Sequence, residues 1–201
     1  MLTELATVKA RLKIADSDIV DDVLLTGFMA LVSGRMQNDC NRVFDRAVNA
    51  QFEFRGDEHD LLVDRYPLES VSLFETKNSE AEGWVAVADP VDYLISPGRA
   101  VIELRDQLAT SRQLGRVTYT GGYVLPADLG DKGVVPAGLS ALPAEVEQSV
   151  VEQIAHLYKN RDRLGISSVS GDGGGLSLDK ASWVWLPAVA AVVEKYTRFR
   201  M

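Results

Sequence analysis

The residue types best suited to chemistry are few and scattered along this chain. Asp57-Glu58-His59-Asp60 places four candidate metal ligands or acid–base groups in a row. Adjacent residues of a turn or strand point in different directions, so such a run does not converge on one ion; it reads as a solvated turn. The other histidine, His156, falls beside the apolar stripe of a helical segment, where a hydrogen-bonded boundary residue is a simpler reading than a general base. Cys40 is the single cysteine. It excludes an internal disulfide and a thiolate zinc cluster, has no recognisable histidine partner, and reads as a small core residue. The glycine-rich run 171–175 has no strand before it and no Lys-Ser or Lys-Thr after it, so it fails as a phosphate loop. Asp172 and Asp179 miss the calcium-loop spacing. No nucleophile elbow, metal motif or cofactor fingerprint is present. The sequence therefore predicts no enzyme, no metal and no cofactor. A carboxylate-based, metal-dependent hydrolase or nuclease is the catalytic alternative, since such an enzyme needs only converging acids around a divalent ion.

Composition narrows the remaining classes. The 201 residues carry 21 Lys+Arg against 29 Asp+Glu, a net charge of −8 with a pI near 4.8. Repulsion from phosphate argues against a protein whose main task is to grip nucleic acid. The mix of 46% hydrophobic and 25% charged residues is that of a folded domain rather than a disordered chain. There is no run of about 18 apolar residues to span a membrane. The opening Met1-Leu2-Thr3-Glu4-Leu5 lacks the basic and apolar regions of a signal peptide, which predicts a reducing cytosolic origin.

The elements that must position these residues fall into three zones. Residues 1–44 read as two helices. Thr3 is the expected N-cap of the first, with Leu5, Val8 and Leu12 at helical spacing. The second, expected to run about 25 residues and 37 Å, carries Val20, Leu24, Phe28 and Leu31 on its predicted core stripe, widened by Val23, Val32 and Met36. From about residue 49 the period changes to two. Phe52 and Phe54 alternate with Gln51, Glu53 and Arg55, Val71 and Leu73 alternate with Ser70, Ser72 and Phe74, and short apolar runs follow at 84–87, 93–95, 101–104 and 117–119. Turn signals between them predict five to seven short strands in an antiparallel sheet or small barrel. Residues 125–141 form a Pro/Gly-containing loop long enough to be functional. Pro143 then opens a third helix with Val146, Val150, Ile154 and Leu157 on its buried face, helped by Val151 and Tyr158. The expected organisation is α+β: residues 1–48 and 142–201 form a small helical bundle, 49–124 are an inserted β region, and 125–141 an extended loop.

The C-terminal segment is the most informative. Trp183 and Trp185 lead from a Gly/Ser-rich linker at 166–181, expected to act as a hinge, into a short amphipathic helix. Ordering each backbone residue costs about 1–2 kcal/mol, more than two buried indoles return for about 14 residues. This helix needs a packing surface, in its own bundle or on another protein.

In this order the landmarks resemble the phage head–tail connector (adaptor) family of tailed phages and related particles. Residues 5–14, the acidic turn 16–18 and Asp21-Asp22-Val23-Leu24-Leu25 look like its opening helices. Asn38-Asp39-Cys40-Asn41-Arg42-Val43-Phe44 is similar to the end of the second. Val117-Thr118-Tyr119-Thr120-Gly121-Gly122-Tyr123 resembles the family's strand and turn. Leu142-Pro143 through Arg161, and Leu186-Pro187 through Tyr196 and Arg198, look like its later helices. The 125–141 segment is longer than the usual link. The resemblance implies a helical bundle with a β insertion, and a ring of about a dozen copies coaxial with the portal. It further implies a structural role in the virion neck after assembly in the host cytoplasm, with a stopper or tail-completion protein on the ring's other face. DNA would pass through the extended channel without sequence-specific binding, which an acidic wall suits. The expected portal-docking arm is 182–201, with Trp183, Trp185, Leu186, Val189, Val193, Tyr196 and Phe199 as apolar anchors and Arg198 and Arg200 meeting acidic or carbonyl groups. A stopper or tail-terminator of the same neck is the alternative.

Overall fold

The computed structural model describes residues 1–96, 100–129, 134–161, 169–171, 174–176 and 184–198. The fold is α+β and divides into two compact units. The helical unit comprises Met1–Cys40 and Leu142–Arg198 with Pro126–Gly130, and the β unit Asn41–Leu125 and Asp131–Ala141.

In the helical unit, α1 (Leu5–Leu12), α2 (Asp22–Asp39) and α3 (Ala144–Lys159) pack against one another, and α4 (Pro187–Tyr196) packs on α3. Helix α1 starts behind Glu4, and the expected cap Thr3 instead turns its buried hydroxyl to Glu147, donating to Oε1 at 3.2 Å. The buried Lys9 ammonium lies 2.6 Å from Asp22, and Tyr158 donates to Asp21, so both acids at the start of α2 are tied down. Helix α3 behaves as its spacing predicts: Val146, Val150, Val151, Ile154 and Leu157 are buried. Helix α2 does not. It is 18 residues long, about 27 Å rather than 37 Å. Its buried face is Leu25, Phe28, Met29, Val32 and Met36, while Val20, Val23, Leu24 and Leu31 are exposed. The predicted stripe is rotated because residues 23–32 of α2 carry only Thr26 as a polar side chain, leaving periodicity little to discriminate.

The β unit contains two antiparallel sheets. In the first, β1 (Ala47–Arg55), β7 (Leu114–Gly121), β3 (Leu68–Lys77) and β4 (Val85–Ala86) lie in the order β1-β7-β3-β4. In the second, β2 (Asp60–Leu62), β6 (Val101–Leu104) and β5 (Tyr93–Ser96) lie in the order β2-β6-β5. Both sheets feed one core: Phe54, Phe74, Val117 and Tyr119 from the first, Leu61, Ile102 and Leu104 from the second, with Val63 between β2 and β3. Gly115 faces Phe54 across the β1–β7 ladder, and a Cβ there would stand 2.5 Å from the Phe54 ring, so the ring crosses where only glycine leaves room. Gly122, at φ +107°, would bring a Cβ to 2.4 Å from the Asp45 carbonyl. Burial raises the Tyr119 phenol pKa, and the hydroxyl donates to Asp64. Arg42, also buried, sets its guanidinium 4.6 Å from the Phe44 ring centroid, 5.4 Å from that of Tyr66 and 5.6 Å from that of Tyr123, and donates to the Tyr66 carbonyl. In the long loop, Val124 N–H donates to the Ser140 carbonyl, and Pro126–Asp128 make a 3₁₀ turn.

Within the segment read as a flexible linker, β8 (Val169–Gly171) pairs antiparallel with β9 (Gly174–Leu176). Most of the expected hinge, 166–181, lies outside the described residues. Among the described residues, no helix is long and apolar enough to cross a membrane.

Candidate functional site

Helix α4, the C-terminal helix to which the sequence points, is docked on the helical unit and held mainly by its two ends. Pro187 starts it, with φ already helical and no N–H to leave unpaired. Its entry is gripped by Gln153, a buried amide on α3: Nε2 donates to the Val184 carbonyl at 3.3 Å, and Oε1 accepts from the Leu186 N–H at 3.0 Å. The Trp185 indole donates to Asp39 Oδ2 at 2.7 Å while the Arg35 guanidinium sits 4.7 Å from the ring centroid. Arg35 and Asp39 are themselves an i,i+4 ion pair on α2.

At the far end, Glu145 at the start of α3 accepts from Lys195 at 2.6 Å and from the Tyr196 hydroxyl. These bonds, Lys195 first, hold the Glu145 carboxyl below the usual carboxylate range. The Arg198 N–H donates to the Cys40 carbonyl at 3.0 Å, and the Thr197 hydroxyl to the Val193 carbonyl at 2.7 Å. Cys40 is buried, and its thiol donates to the Val193 carbonyl at 3.7 Å, so it packs as the sequence suggested. Between the two ends only Val189 is fully buried, at 1% exposure. Leu186, Val193 and Tyr196 are half-buried, as is Trp185. Leu186, Ala188, Val189 and Val192 line an apolar groove of about 390 Å³ against Glu145, Gln148, Ser149 and Glu152 of α3.

Of the expected anchors, Trp185, Leu186, Val189, Val193, Tyr196 and Arg198 are thus brought onto the helical unit. Trp183, Phe199 and Arg200 lie outside the described residues. Sequence reasoning missed the residues that hold the helix, Gln153, Asp39 and Glu145. Gln153 had a readable signal, a polar residue inside the apolar spacing of α3; Asp39 and Glu145 look like ordinary surface acids.

The chemically suggestive residues do not assemble elsewhere. His59 Nδ1 lies 3.3 Å from the Leu104 carbonyl, and Asp57 pairs with Arg55 at 2.9 Å. His156 contacts Asn160 one turn along α3. Among the described residues, no group of three or more His, Cys, Asp or Glu side chains is placed to hold a metal ion.

No protein-family model and no curated protein matches this sequence. Solved structures do. The chain is similar over its full length to 91% of a chain in a structure described as the neck of an empty GTA particle computed with C6 symmetry, with TM-score 0.59 and 15% identity. Over 98% of its length it matches 89% of a chain from the neck of a native GTA particle computed with C12 symmetry, at TM-score 0.55 and 16% identity. A third match, at TM-score 0.57 and 16% identity, covers all of this chain and 91% of a chain from the virion of a native gene transfer agent (GTA) particle. At such identities the likeness is one of fold.

Proposed function

We propose that this protein is a structural component of the neck of a phage-like particle, an adaptor that forms a ring of about a dozen copies between the portal and the stopper or tail-completion protein. The observation that carries this reading is the end-to-end fold similarity to chains of structures described as particle necks, one of them computed with C12 symmetry. A four-helix unit joined to an antiparallel β unit supports an adaptor over the mostly β stopper or terminator proteins of the same conduit. A net charge of −8 suits a wall past which DNA must slide without being held. The role is non-enzymatic; localisation is the virion neck, reached from the host cytoplasm.

The portal-binding segment in this reading is 182–201: Trp183, Trp185, Leu186, Val189, Val193, Tyr196 and Phe199 supply apolar contact, Arg198 and Arg200 charge. Docking exchanges the contacts of α4 on its own unit for contacts on the portal, an exchange favoured by the small apolar area that α4 buries at home. The test is cosedimentation of the chain with its portal, before and after deletion of residues 182–201. Loss of binding by a truncated chain whose far-UV circular dichroism falls only by the helix signal of α4 is expected; undiminished binding removes the arm from the proposal. A metal-dependent nuclease assay is expected to read no activity.

A further inference from the structure

Helix α2 has two apolar faces, and α1 and α3 pack against the inner one. Between residues 19 and 34 the only charges are Asp21 and Asp22, and both are engaged, by Tyr158 and Lys9. The inner face is buried in the helical unit. The outer face, with the turn that precedes the helix, carries Ile19, Val20 and Val23 at 72%, 85% and 87% exposure, and Leu24 and Leu31 at 38% and 42%. A helical stretch that is apolar on every side, as residues 23–32 are apart from Thr26, belongs in the interior of a larger body.

The pattern of the outer face is also specific. Val20, Leu24, Gly27, Leu31 and Gly34 are spaced 4, 3, 4 and 3, the steps of a coiled-coil seam. Nothing lies within 4 Å of where a Cβ would stand on Gly27 or Gly34, so the two glycines are open notches between the larger side chains. The exposed apolar side chains together present on the order of 500 Å², a patch large enough to mark an interface and more than half of one partner's share of a standard one.

We propose that the outer face of α2 is the contact by which one copy of this chain packs on the next in the ring. The inference rests on the ring reading above. A second copy is favoured over other occupants because interfaces between identical subunits are the most apolar class, and this face holds no free charge to meet a polar partner. A closed ring is built from head-to-tail contacts, so the α2 face meets a different surface of its neighbour and leaves no unsatisfied copy.

The experiment compares the full-length chain with V23D/L31D and with the milder V20S/V23S, each alone and with portal, by sedimentation velocity and native mass spectrometry. All these positions are exposed, so both variants are expected to keep the far-UV circular dichroism of the wild type. The wild type is expected to close rings. V23D/L31D should need at least about tenfold more protein to do so, and should bind portal as separate copies; V20S/V23S should show a smaller shift in the same direction. Rings formed by both variants at unchanged concentration overturn the α2 contact and leave the ring reading standing. A wild type that never closes a ring, with portal or without, overturns both.

Discussion

The β unit and the helical unit solve the problem of burial differently. In the β unit, two sheets direct Phe54, Leu61, Phe74, Ile102, Leu104, Val117 and Tyr119 into one interior, and the buried polar groups Tyr119 and Arg42 find partners within the same unit. In the helical unit, α2 carries a second apolar face that none of the described residues covers, and α4 is fastened by an amide, two carboxylates and an indole around one fully buried valine. The first unit turns its largest side chains inward and leaves Val48, Leu73, Val85, Leu94 and Leu114 exposed on five separate strands. The second carries its exposed apolar surface on one helix face, and it is α2 and α4 that the proposed ring and portal contacts use.

That contrast can be broken by substitutions graded by expected effect. Ile102→Ala, which opens a cavity in the shared core of the two sheets, should cost about 3–4 kcal/mol in chemical denaturation. A cost below about 1 kcal/mol would show that the β core is loosely packed. Arg42→Ala removes a buried cation from three aromatic rings and the Tyr66 carbonyl, and should cost about 2–3 kcal/mol, with Arg42→Lys recovering only part. Gln153→Ala leaves the Val184 carbonyl and the Leu186 N–H without their side-chain partner. A loss of about 1–2 kcal/mol is expected, read as faster hydrogen exchange in α4 with protection in β7 unchanged.

Acid should act on the same attachment. The Glu145 carboxyl is held below its ordinary value by Lys195 and Tyr196, so its contribution is present above the ordinary Glu value of 4.5 and is lost as pH falls through its lowered value in the folded chain. Protection factors in α4, each taken against intrinsic exchange at the same pH, should therefore fall on acidification, and Glu145→Gln should flatten that part of the profile. A profile identical to wild type in E145Q would remove the bond from the account. The smallest effect is expected at Val23. On the isolated chain Val23→Ser should change stability by less than about 0.5 kcal/mol, which separates a face waiting for a partner from a face in the core.

Legibility in the sequence followed the same division. Period-two alternation placed β1 and its inward Phe52 and Phe54, and the single apolar stripe of α3 named its buried residues, because each has one wet and one dry side. In β3 it located the strand but not its faces: the ladder shifts register between Val71 and Leu73, so Leu73 is exposed and Phe74 is buried. In α2 the rule held in part: Phe28, Val32 and Met36 of the expected stripe are buried, but Val20, Val23, Leu24 and Leu31 are exposed while Leu25 and Met29 are buried, because all are equally apolar and periodicity cannot tell one apolar face from another. At α4 the amphipathic pattern was readable, but its attachment was not. Asp39 and Glu145 look like any of the 29 acids until the fold sets them beside Trp185, Lys195 and Tyr196. Gln153 was visible as a polar intruder in an apolar stripe, though its role depends on a segment about 31 residues further along the chain.

The most direct measurement is electron cryomicroscopy of the full-length protein incubated with its portal. The account expects a closed ring of roughly a dozen copies coaxial with the portal, with the outer face of α2 covered by the adjacent copy. Portal particles carrying no added density, or isolated copies bound without neighbours, would contradict it.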